Sequence, residues 1–240
     1  MPDFFILTGI IAVCSLVQSL FGVGLLVFGT PALILLGYPF QTVLGYLLPC
    51  SITVSLLQAL EGKKELKELN RQLTLYCVPF IVLGLTFVVV AGHAYNARFY
   101  VGCLLLANAA IRLSQKVRTY LSFFLKRQTK GYLVLMGLVH GLTNMGGGLL
   151  TVLANALFER KEAIRANIAG VYLIMALVQI IFLSIFGRVE WDWVMLLFPA
   201  LSAAVFLLFG NRLFRASTQT AYQHLMTVLI FLFGLGLVAL

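Results

Sequence analysis

His140-Gly141-Leu142-Thr143-Asn144-Met145-Gly146-Gly147-Gly148 is the stretch whose reading decides the fold. It sits in the middle of an apolar run, residues 132–158, long enough to be a membrane helix. Each glycine in a helix interior costs roughly 1 kcal/mol relative to alanine, so three in succession mark a break. In a bilayer such a break is tolerated only where the freed backbone is buried in protein or lines a cavity. A second, weaker break lies near the N-terminus, at Phe21-Gly22-Val23-Gly24 with Gly29-Thr30-Pro31 following. The chain therefore reads as two copies of one unit, each opening with a broken helix. Residues 1–113 form the first repeat, 114–131 a linker and 132–240 the second.

Composition sets the class. Of 240 residues, 61% are hydrophobic and 10% charged, against roughly 25% charged in average globular usage. A soluble core of this size has no room for so many apolar side chains, so the expected class is an all-α polytopic membrane protein. The net charge of +9 is accounted for by an inside-positive topology and needs no nucleic-acid partner. Met1-Pro2-Asp3 has no positive n-region, and no small-residue cleavage site follows, so the first apolar run reads as retained. Cys14, Cys50, Cys77 and Cys103 are scattered through apolar runs without a CxxC, which reads as buried thiols. No metal-ligand or cofactor pattern is present.

Apolar runs span residues 4–37, 43–60, 73–92, 99–111, 132–158, 166–187, 193–210 and 222–240. Pro79 is expected to kink the third. Trp191, Trp193 and Tyr222 stand at span ends, where interfacial aromatics belong. If every run crosses once, 11 of the 17 Lys and Arg residues share a side. If the run 132–158 instead dips in and returns, 15 of the 17 share a side, and the triple glycine becomes the tip of a re-entrant hairpin. With a matching hairpin at residues 4–37, each repeat is a broken, re-entrant helix pair plus three crossings. Three is odd, so the two repeats are inverted and both termini lie on the non-cytoplasmic side, a plan common in secondary transporters. Residues 4–20 are long enough to cross alone if tilted, which leaves the first hairpin open. Within the linker, residues 120–125 are aromatic and flanked by bases, as in an interfacial segment.

No Asp or Glu lies inside any run. A cation carrier needs an intramembrane carboxylate or a carbonyl cage, so the pattern favours an anion. The polar residues inside are neutral. The second break offers His140, Thr143, Asn144, Thr151 and Asn155, and the first offers Gln18, Ser19, Thr30, Gln41 and Thr42. The following spans add Ser51, Thr53 and Gln58, then Asn167, Tyr172 and Gln179. Where two half-helix N-termini meet at the midplane, free N–H groups and positive dipole ends make an anion site. The candidate site is Gln18, Gly22, Gly24, Thr30, His140, Thr143, Asn144, Gly146, Gly147, Gly148, Asn155 and Asn167. Blander roles are open to each: close packing for glycine, a hydrogen-bonded core position for His140, back-bonding to the helix for Ser and Thr. Arg165 marks the cytoplasmic end of a span or meets the anion.

The run Asn144-Met145-Gly146-Gly147-Gly148-Leu149-Leu150 resembles the second-half signature of the sulfite exporter TauE/SafE family of organosulfonate and sulfite permeases. Phe21-Gly22-Val23-Gly24-Leu25-Leu26-Val27, with Pro31-Ala32-Leu33 and Gly37-Tyr38-Pro39, is similar to the first-half copy. The likeness extends over the whole chain, including its length and charged linker. Two departures stand out. The first copy has no triple glycine, and Val152-Leu153-Ala154 stands where a proline follows the second. The resemblance implies a non-enzymatic, multi-pass inner-membrane transporter of sulfite, thiosulfate or sulfonates. The bilayer and a small anion are its partners, with a proton or sodium ion as coupling ion. One other reading is a thiol–disulfide electron carrier, because Pro49-Cys50 and Cys77-Val78-Pro79 put a proline beside a cysteine. A scaffold subunit without transport is a third, disfavoured by the short loops.

Overall fold

A computed structural model describes residues 4–63, 69–113, 128–187, 192–216, 218 and 220. The aromatic linker segment 120–125, Trp191 and the last apolar run 222–240 lie outside the described residues. Among the described residues there is helix and no strand. Helix α1 (Phe4–Phe21) stops at Gly22, and the chain resumes as a π-turn (Leu25–Gly29) continuous with α2 (Thr30–Leu35). Then come α3 (Phe40–Glu61), α4 (Leu69–Tyr76), α5 (Val78–Ala91) and α6 (Ala97–Leu113). The second half contains α7 (Thr129–Thr143), α8 (Gly146–Leu157), α9 (Lys161–Phe186), α10 (Trp193–Val205), a π-turn (Phe206–Gly210) and α11 (Asn211–Ala216).

Proline explains several irregularities. Pro31 stands two residues past the end of the first π-turn; a residue without an N–H and with a ring against the preceding turn disturbs the α ladder there. Pro79 separates α4 from α5 at Cys77, where the expected kink becomes a break. Pro49 is carried inside α3, and Thr53 Oγ1 bonds back to Pro49 O at 2.9 Å. The run 99–111, too short to cross by itself, extends to a 17-residue helix that takes in Arg98 and Arg112.

Helices α1, α3 and α9 are long and apolar enough to cross a membrane. The last two pack on each other most extensively. They run in opposite directions: the C-terminal end of α3 meets the N-terminal end of α9, where Glu61 and Arg165 pair at 2.8 Å. Around this centre α5 lies parallel to α7, and α1 lies parallel to α10. Gly137 and Gly141 admit the backbone of Cys77 and Ile81 so closely that no Cβ would fit. Ser15 Oγ donates to Ser202 Oγ at 2.8 Å, and Phe4 stacks on Phe198. The outer faces of α1, α5, α6 and α10 expose Phe5, Val13, Val90, Phe99 and Leu196, an apolar belt that suits lipid. Cys103 belongs to that belt. Cys14, Cys50 and Cys77 are buried as expected, but Cys103 is exposed, because in a bilayer a weakly polar thiol is as comfortable on the outer surface as in the core.

Candidate functional site

Both chain breaks are buried in the centre of the bundle, and their ends are held by side chains. At the first, Gly22 takes φ +77°, and its N–H donates to Gln18 O at 2.8 Å. Only glycine takes this conformation without strain, and a Cβ there would also stand 2.9 Å from Ile168 Cγ2. Gly24 lies against the backbone of Gln18. Gln18 is fully buried and organises the turn. Its Oε1 accepts the Leu25 N–H at 3.2 Å, which caps the restarted helix. Its Nε2 lies 3.1 Å from both Ser51 O and Ser55 Oγ. The carbonyls ending α1 are capped in turn. Gln58 Nε2 donates to Gln18 O at 2.8 Å and Ser19 O at 3.0 Å, and Arg165 Nη1 donates to Ser19 O at 3.2 Å.

The second break follows the same plan with different residues. Asn144 takes φ +60°, and its N–H donates to His140 O at 2.8 Å; asparagine is the non-glycine residue that best tolerates this region. The Gly146 N–H donates to His140 Nδ1 at 3.2 Å, and the Met145 N–H donates to Thr143 Oγ1 at 3.2 Å. Gln179 Nε2 reaches His140 O at 3.4 Å. Tyr95, from the 92–96 connection, donates its hydroxyl to Leu142 O.

The helix break falls just before the triple glycine and not on it. Asn144-Met145 makes the turn, and Gly146, Gly147 and Gly148 form the first turn of α8. Their bareness serves close approach. A Cβ on Gly147 would stand 2.5 Å from Tyr172 Oη and 2.8 Å from Val27 Cγ2, and one on Gly146 would stand 2.7 Å from His140 Cβ. Val27 belongs to the first restarted helix. Asn144 Nδ2 donates to Thr30 Oγ1 on that same segment at 3.0 Å. Gly147 opposite Val27 and Asn144 opposite Thr30 mean that the two restarted helices pass each other in opposite directions, first turn beside first turn.

Ten of the twelve candidates thus gather at the two breaks. Two do not. Asn155 is exposed, its Nδ2 bonded back to Thr151 O at 2.7 Å, because it lies almost three turns down α8 from the tip. Asn167 is buried but donates to Ala163 O of its own helix at 2.9 Å. Arg165 is buried among Ser19 O, Glu61 and the Phe214 ring, 3.8 Å from its guanidinium carbon, away from the second tip. Ser55 and Tyr95 were not foreseen, and Gln58, Tyr172 and Gln179 had no assigned role. A signal for most of them existed: Ser51, Ser55 and Gln58 fall on one face of α3 at i, i+4 and i+7, and Tyr172 and Gln179 on one face of α9 at i and i+7.

Five buried side-chain atoms lack a hydrogen-bond partner among the described residues: Gln58 Oε1, His140 Nε2, Asn144 Oδ1, Tyr172 Oη and Gln179 Oε1. Four of them surround the second break. At the bundle end near Tyr95 a recess of about 500 Å³ opens, lined among others by Ile34, Tyr38, Tyr95, Asn96 and Arg98. Tyr95 thus links this recess to the backbone two residues before Asn144. No group of His, Cys, Asp and Glu among the described residues could hold a metal ion. Cys50 donates to Tyr46 O, Cys77 packs on Gly137, and both are free thiols.

The sequence model of the sulfite exporter TauE/SafE family matches residues 6–237. The chain belongs to that family. No curated protein and no solved structure matches it. Membership makes the chain a membrane transport protein of a sulfite-exporter class.

Proposed function

We propose that this TauE/SafE member is a secondary transporter of small sulfur-containing anions such as sulfite, thiosulfate or sulfonates. It works by alternating access around the two restarted helices. The observation that carries the reading is the side-by-side placement of their first turns, with Val27 against Gly147 and Thr30 bonded to Asn144. Helix starts carry partial positive charge and inward N–H groups. The surrounding polar groups are neutral, so an anion meets donors without a fixed negative charge.

The architecture proposed is a pair of inverted repeats. What supports it is a set of matched contacts. Gln18 and His140 each accept from the restarted helix, and each passes its carbonyl to the N–H four residues on, at Gly22 and Asn144. Gln58 and Gln179 each donate to those same carbonyls, from the central helices α3 and α9. Each broken helix also packs parallel to a helix of the other half. In this reading the Glu61–Arg165 end faces the cytoplasm of a cell's inner membrane, and the Arg98 recess opens on the other side. A proton or sodium ion is the coupling partner.

Two experiments test the proposal. Gly147→Leu drives a side chain into Tyr172 and Val27 and is expected to abolish sulfite flux in liposomes while the protein still inserts. Normal flux would overturn the site. For sidedness, a cysteine at Asn96 is expected to react with an impermeant maleimide on intact cells, and one at Glu159 only after permeabilisation, both in a Cys103→Ser background. The opposite pattern would reverse the orientation.

A further inference from the structure

The orphan atoms around the second break carry a chemical specification. The Gly146 N–H donates to His140 Nδ1, so that nitrogen is the acceptor of the ring and the neutral imidazole carries its hydrogen on Nε2. Among the described residues His140 Nε2–H is therefore a fully buried donor without an acceptor in ordinary hydrogen-bond geometry, with the Gln179 side chain beside it. Tyr172 Oη is a second such donor, poised over the first turn of α8 where a Cβ on Gly147 would touch it, and its ring lies 6.2 Å from the imidazole. Gln179 Oε1 is an unpartnered acceptor beside them: its carboxamide lies along the imidazole without a hydrogen bond of ordinary geometry, and its Nε2 is turned to His140 O. Two donors, one acceptor and the start of a 12-residue helix converge without a formal charge among them.

Buried polar groups without partners are destabilising, so each one that a packed core retains calls for a role, and binding a ligand is one. An anion with only bare oxygens would satisfy the donors and the helix start, but one of its oxygens would face Gln179 Oε1, lone pair against lone pair. An anion bearing a hydroxyl would satisfy all three side chains. We propose that His140, Tyr172, Gln179 and the first turn of α8 form a site selective for a singly charged oxyanion that carries its own hydroxyl hydrogen, such as hydrogen sulfite. Nε2–H and Oη–H meet the bare oxygens, and Gln179 Oε1 accepts the hydroxyl. The proton then travels with the anion, so no carboxylate is needed in the membrane interior to carry it. The inference rests on the transport reading above and narrows its substrate to one protonation state.

The test uses the full chain in nanodiscs at mildly acidic pH, titrated with two monoanions: sulfite, present there as hydrogen sulfite, and methanesulfonate, which has three bare oxygens. Hydrogen sulfite is expected to bind about tenfold more tightly, the value of one well-made buried hydrogen bond, and Gln179→Met is expected to erase that preference. Tyr172→Phe is expected to weaken both anions, while the anion-free protein melts at a higher temperature because an unpartnered hydroxyl has been removed. Since it deletes one atom from a packed ring, this variant decides the matter even where Gln179→Met does not fold. Equal binding of the two anions by the native chain, a preference that survives Gln179→Met, or unchanged affinities in Tyr172→Phe would each overturn the inference and leave the transport reading standing. Binding of neither anion would overturn both.

Discussion

At the first break, Gln18 donates to Ser51 and Ser55 and accepts from Leu25, while Gln58 and Arg165 close off the carbonyls at the end of α1. At the second, His140 accepts from Gly146, and among the described residues its other nitrogen has no partner, nor do the side-chain oxygens of Tyr172 and Gln179 around it. Both breaks have the same backbone: a left-handed residue four positions after the side chain that caps the next helix. The finishing differs. Among the described residues one break has a single unpartnered side-chain atom, Gln58 Oε1, and the other has four. A matched pair of structural units does not need matched chemistry; one can serve as the fixed clamp against which the other holds a ligand.

The largest effects are expected from exchanging the two capping side chains for leucine. Gln18→Leu orphans the Leu25 N–H and removes the partner shared by Ser51 and Ser55, at a cost of about 3 kcal/mol when each buried unmet group counts for 1 kcal/mol or more. His140→Leu orphans the Gly146 N–H but also removes the unpartnered Nε2, and is expected to cost about 1 kcal/mol. Thermal unfolding in nanodiscs measures both. Anion stabilisation is expected to reverse the ranking: folded Gln18→Leu keeps it and His140→Leu loses it. Equal stability losses together with equal ligand losses would erase the distinction between clamp and site.

The sequence carried the outline of this comparison and not its content. The glycines at 22, 24 and 146–148 located both breaks because a helix interior tolerates such runs poorly, and the membership of the chain followed from the same residues. The position of the second turn was one step away, at Asn144, because asparagine can adopt a left-handed conformation as well as serve as a polar ligand, and the sequence does not separate the two. Asn155 and Cys103 were harder still. In a soluble helix the alternation of apolar and polar residues shows which side is inside. In lipid both sides are apolar, so a single polar residue in α6 or α8 gives no sign of the direction it faces. The distant pairings, Gln18 with Ser55 or Asn144 with Thr30, depend on which helices become neighbours, and no local pattern encodes that.

A smaller effect separates the outer caps of the two breaks. Arg165 holds Ser19 O from a nearly buried position, with its charge shared between Glu61 at 2.8 Å and the Phe214 ring. Tyr95 holds Leu142 O with a neutral hydroxyl beside the open recess. Arg165→Met keeps most of the volume and removes a charged donor to a buried carbonyl, for which about 2 kcal/mol is expected. The Glu61 contact adds little, because that carboxylate is 38% exposed and screened. Tyr95→Phe removes one neutral hydrogen bond next to solvent, worth about 1 kcal/mol or less. If the first break is the clamp, loosening it with Arg165→Met lets the two halves separate at that end. The variant is then expected to admit an impermeant maleimide to a cysteine placed at Ser19, a position otherwise buried. Tyr95→Phe, already beside an open recess, is expected to leave the labelling of Ser19→Cys unchanged. Equal labelling in both variants would mean that the bundle is closed to the same degree at its two ends, and that the difference between the breaks is one of composition only.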